Sequence, residues 1–127
     1  MVLFVVGLGL GDERDITVRG LDAVRSCDEL YLEHYTSVFA GLDKVKLEAL
    51  YGKKIILADR NMVESEAEMI YEKAITGNVA FLVIGDPLCA TTHTDLVLRA
   101  KQRGAKVEII HNTSVRTDVL GIIYDMI

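Results

Sequence analysis

Apolar and polar positions fall in blocks along the chain, and the period of the blocks changes from one to the next. Residues 2–6 (VLFVV) are a short unbroken apolar run, the pattern of a strand buried on both faces of a parallel sheet. Over 17–27, Val18, Leu21, Val24 and Arg25 recur at helical spacing. ELYLE at 29–33 predicts a second strand. Leu42, Val45, Leu47 and Leu50 predict a short helix over 42–52, closed by Gly52 as a C-terminal cap. KIILA at 54–58 predicts a third strand. Met62, Glu66, Met69, Ile70 and Lys73 give an amphipathic helix over 62–75, with Asn61 and Glu64 as its N-terminal cap. VAFLVIG at 79–85 is the clearest strand. Thr92 and Asp95 then form a capping pair for a helix to about Arg103, Gly104 closes it, and KVEII at 106–110 is a fifth strand.

Strand and helix alternate throughout. The expected class is therefore α/β, a largely parallel five-stranded sheet flanked by helices. In such sheets ligands bind beyond the C-terminal ends of the strands. Three polar or glycine-bearing turns fall on that edge. Gly7, Gly9 and Gly11 follow the first strand. Gly85 to Leu96, with the chain's single proline at Pro87, follows the fourth. His111, Asn112 and Ser114 follow the fifth.

Composition narrows the partners. The chain has 127 residues, half of them apolar, enough for one compact domain with a core. Its net charge is −5, with no basic cluster, which argues against nucleic acid as a direct partner. No apolar run reaches the roughly 18 residues of a membrane span. The apolar N-terminus lacks a basic leader and is ended early by Asp12, Glu13, Arg14 and Asp15, so no signal peptide and no membrane are expected, and the cytoplasm is the default. Cys27 and Cys89 form neither a CxxC nor a cluster with histidine, so no metal site is expected and both are read as small reduced packing residues.

The chemistry-bearing segments leave alternatives open at this level. A dinucleotide fingerprint needs its third glycine at position 12, where Asp12 stands, and a P-loop is absent. Glu33 at the end of the second strand keeps a Rossmann-type NAD-dependent oxidoreductase in view, as a ribose-binding acid. The glycines serve a close ligand approach or a tight turn with positive φ. Asp86 sits where it can accept hydrogen bonds. His93 reads as a first-turn helix residue rather than a base. His111 and Asn112 read as holders of turn backbone, with Ser114 facing the same cleft.

Taken together, GLGLGDERDIT, YLEHYTS, GDPLCATTHTDLVLRAK and IIHNTS closely resemble the diphthine synthases, a branch of the tetrapyrrole (corrin/porphyrin) methylases, over 1 to about 115. The resemblance implies S-adenosyl-L-methionine as cofactor, held between two α/β domains. It implies methylation of the amino group on a modified histidine of elongation factor 2, in diphthamide biosynthesis, by a cytoplasmic homodimer. By position it implies cofactor contacts at Leu10, at Asp86 and Cys89, and at Ser114 and Val115. It implies no catalytic acid or base. The 127 residues are then expected to be the N-terminal cofactor-cleft domain without the family's C-terminal domain, and to be weakly active or inactive alone. The apolar segment 119–127 is expected to need a partner. A non-catalytic relative that acts by association through that segment is the competing reading.

Overall fold

The computed structural model describes residues 2–9, 13–33, 44–58, 68–83 and 91–112, with side chains in 91–95 excepted. Five strands run through it: β1 (Val2–Gly7), β2 (Glu29–Glu33), β3 (Ile55–Ala58), β4 (Val79–Val83) and β5 (Lys106–Ile110). Between them, among the described residues, lie a 3-10 turn (Glu13–Asp15) and the helices α1 (Val18–Ser26), α2 (Lys44–Tyr51), α3 (Glu68–Thr76) and α4 (Thr91–Gln102). Every strand pair is parallel, in the order β3-β2-β4-β1-β5. The expected α/β class and five-stranded sheet are what the chain forms.

The sheet separates two cores. Alternate strand residues point to opposite faces, so Val79, Phe81 and Val83 of β4 join Ile70, Tyr71 and Leu96 from α3 and α4. Ala80 and Leu82 join Val24, Leu47 and Tyr51 from α1 and α2 on the other face. β4 is buried at all five positions, as its unbroken apolar run requires. Cys27 belongs to the second core. Its thiol donates to the Ala23 carbonyl at 3.2 Å, and burial pushes its pKa up to about 11, so it stays a protonated packing residue.

Helix ends follow local chemistry. The Thr17 hydroxyl caps α1 by accepting from the Gly20 N–H at 3.0 Å. Gly52 and Gly104, predicted to close α2 and α4, have φ of +72° and +86°, a region that suits glycine. The proposed caps at Asn61, Glu64, Thr92 and Asp95 lie outside the described residues or side chains.

The helix faces differ from expectation. Val18 is 78% exposed and Val45 71% exposed, although both were assigned to apolar stripes. Val24 of α1 and Ile70 of α3 are buried as expected, but they are joined on the sheet side by Gly20 and Ala23 in α1 and by Tyr71 and Ala74 in α3, while Met69 is 40% exposed. Small residues let a helix lie close on the sheet. A Cβ at Gly20 would come within 3.1 Å of Val6 Cγ1 and 3.0 Å of Ile16 Cγ1. Among the described residues no helix is long and apolar enough to cross a membrane.

Candidate functional site at the C-terminal strand edge

The order β3-β2-β4-β1-β5 fixes where a crevice opens. From β1 the chain leaves through α1, on one face, and passes β4 to reach β2. From β4 it leaves through α4, on the other face, and passes β1 to reach β5. β1 and β4 are neighbours whose connections depart in opposite directions on opposite faces. That is a topological switch point, where open α/β sheets bind ligands outside the strand ends.

β1 lies in register with both its neighbours at this edge. Gly7 is opposite Val83 of β4, and Val6 is opposite Ile110 of β5. The Leu8 N–H donates to the Val83 carbonyl at 2.8 Å, extending the ladder one residue past β1. The ends of β4, β1 and β5 are thus contiguous, each about 4.8 Å from the next. These strands precede the three segments singled out from sequence. The candidate residues themselves, Leu10, Asp86, Cys89, Ser114 and Val115, lie outside the described residues.

Two residues shape the described part of the first loop. Gly9 has φ of +76°. A Cβ there would come within 3.0 Å of Asp15 Cβ and 3.2 Å of Asn112 Oδ1, so both conformation and space demand glycine. Asn112, two residues past β5, donates from one amide nitrogen to the Gly7 carbonyl at 3.1 Å and to the Asp15 carbonyl at 2.8 Å. The expectation that Asn112 holds turn backbone is met, but the turn it holds is the first loop rather than its own.

The dinucleotide alternative fits poorly. In the order observed, β4 separates β1 from β2. Glu33 therefore stands two strand spacings from β1, roughly 10 Å, and it is only 3% exposed. The Thr17 hydroxyl already occupies the Gly20 N–H in the first turn of α1, where a dinucleotide fold would present free amides to a pyrophosphate. Gly20 supplies the close helix–strand packing for which the fingerprint uses its third glycine, and sequence reading missed it because it lies well past the glycine cluster.

The model of the family described as Tetrapyrrole (Corrin/Porphyrin) Methylases matches residues 2–121. A curated relative from Eremothecium gossypii, named diphthine methyl ester synthase, is 58% identical over 118 residues, covering 93% of this chain and 40% of its own length. The relative of the same name from Saccharomyces cerevisiae is 55% identical over 118 residues, covering 93% of this chain and 39% of its own. A crystal structure of a diphthine synthase superposes with a TM-score of 0.90 at 41% identity, covering 96% of this chain and 48% of that one. The chain therefore spans about 40% of the length of the curated relatives it matches.

Proposed function

Because the chain belongs to the tetrapyrrole (corrin/porphyrin) methylase family, we propose that it forms the cofactor-binding part of a diphthine synthase, an S-adenosyl-L-methionine-dependent methyltransferase of diphthamide biosynthesis. The observation that carries this reading is the contiguity of β4, β1 and β5 at the switch-point edge, with the first loop tied to the end of β5 by Asn112. The cofactor contacts on this reading are Leu10, Asp86, Cys89, Ser114 and Val115. The substrate is the modified histidine of elongation factor 2, and the protein works in the cytoplasm as a homodimer.

When bound, the cofactor supplies a methyl group activated on a sulfonium, and the protein supplies orientation. The relatives' name, diphthine methyl ester synthase, adds an acceptor to the amine expected from sequence: an ester forms at a carboxylate oxygen. A carboxylate is unprotonated at neutral pH, and an amine needs only to be neutral and aligned. Neither acceptor requires a base, which suits a site to which no acid or base is assigned.

Isothermal titration of the 127-residue chain with S-adenosylhomocysteine tests the cofactor reading. Saturable heat is expected. No heat at millimolar ligand, from a chain folded by circular dichroism, overturns it. Because the chain covers less than half of its relatives' length, we expect little or no transfer of labelled methyl to elongation factor 2 by this stretch alone. Full turnover by the isolated chain would contradict that expectation.

A further inference from the structure

Asn112 makes two hydrogen bonds that bracket one loop. Its side-chain nitrogen donates to the carbonyl of Gly7, the last residue of β1, and to the carbonyl of Asp15, the last residue of the 3-10 turn. A primary amide is one of the few short side chains with two donors on one atom. Serine has one, and ionised aspartate has none. The other end of the same amide lies against Gly9, since Oδ1 would sit 3.2 Å from a Cβ built there. The amide thus bonds the start and the end of the first loop and lies where a side chain at Gly9 would meet it, and in sequence it precedes the segment carrying Ser114 and Val115.

We infer that Asn112 is a positioning residue for the cofactor: it fixes the first loop at its two described ends and ties it to the end of β5, at the edge where the cofactor binds on the proposed reading. The inference rests on the proposed function and adds to it a residue that sequence resemblance did not assign to the cofactor pocket. The contact spans 105 positions between Asn112 and Gly7. Without it, ordering of the first loop falls on cofactor binding itself, which weakens affinity.

Three variants of the 127-residue chain, Asn112→Ala, Asn112→Asp and Asn112→Gln, test this by two measurements. Asn112→Asp keeps the shape and removes both donors, while Asn112→Gln keeps the amide on a longer arm. Titration with S-adenosylhomocysteine is expected to show weakening on the order of tenfold in the alanine and aspartate variants, with partial rescue in the glutamine variant. Hydrogen exchange is expected to quicken at Leu8, Gly9 and Glu13 to Asp15 in the first two variants, and to stay unchanged across β2 and β3. A wild-type chain that binds while Asn112→Asp binds equally well overturns the inference. So does unchanged exchange at the loop. A wild-type chain that gives no heat overturns the cofactor reading instead, and the exchange measurement still decides whether Asn112 fixes the loop.

Discussion

Among the described residues, polar side chains do different work at the two edges of the sheet. At the N-terminal edge they bond to one another and to the frame. Tyr31 donates to Glu29 at 2.7 Å, and Lys73 reaches the same carboxylate at 2.8 Å. The Asp28 carboxylate accepts from the Asn78 N–H at 3.0 Å, and the Asn78 side chain accepts from Val2 at 3.2 Å. The ammonium of Lys53 donates to carbonyls at the end of α1, Arg25 at 2.6 Å and also Cys27, while the Arg25 guanidinium returns a bond to the Leu50 carbonyl at the end of α2. Each helix thus helps cap the other. At the C-terminal edge, the side-chain bonds described at the switch point run from Asn112 to loop backbone. The first arrangement closes the sheet. The second ties the first loop to the end of β5.

Substitutions separate the two roles, and the largest effect belongs to neither edge. Phe81 lies mid-strand in β4 and is fully buried, so Phe81→Ala should cost about 3–5 kcal/mol in urea unfolding. Loss confined to one edge would show that the sheet is not one cooperative unit. Gly9→Ala comes next. It forces a positive φ and crowds Asp15 and Asn112, for a destabilisation of about 1–2 kcal/mol. It should also weaken S-adenosylhomocysteine binding on the order of tenfold, and an unaltered affinity would move the ligand away from this loop.

Asp28→Ala removes an acceptor at the opposite edge, for about 1 kcal/mol in the same unfolding assay. Ligand affinity should not change, and a drop would blur the distinction between edges. The smallest effect is pH-dependent. The hydrogen bond from Lys73, foremost, holds the Glu29 carboxyl below its ordinary pKa. A depressed folded pKa gives stability that is present above the unfolded value and lost as pH falls through the folded one. Glu29→Gln should therefore cost under about 1 kcal/mol at neutral pH, and the difference from wild type should vanish in acid. A difference that grew in acid would reverse the assigned sign.

Much of the frame was legible because its signals are local. β2 and β5 lie where ELYLE and KVEII predicted them, at Glu29–Glu33 and Lys106–Ile110. Gly52 and Gly104 end their helices because left-handed backbone at a helix end is a local demand. The helix faces were misread where large apolar residues drew the pattern. Val18 and Val45 are exposed, while Gly20, Ala23 and Ala74 face the sheet. Close packing favours small residues, which hydropathy periodicity underweights. Strand order was not legible, because alternation says nothing of which strand lies between β1 and β2. The exchange of caps between Arg25 of α1 and Lys53, just past α2, was also hidden, as the two lie 28 positions apart. For the site, the strands that precede the candidate segments, β1, β4 and β5, lie side by side, an adjacency that only the fold supplies. The sequence pattern marks Asn112 as a holder of turn backbone without saying which turn, since a bond across 105 positions leaves no local trace.

On the proposed reading, the cofactor binds at the C-terminal edge of the sheet, beside the first loop and the end of β5. A ¹H–¹⁵N NMR titration of the 127-residue chain with S-adenosylhomocysteine tests it directly. Shifts are expected to concentrate at Gly7, Leu8, Gly9, His111 and Asn112, with Asp28, Glu29 and Asn78 unmoved. Shifts centred on Asp28, Glu29 and Asn78, with the first loop silent, would contradict it.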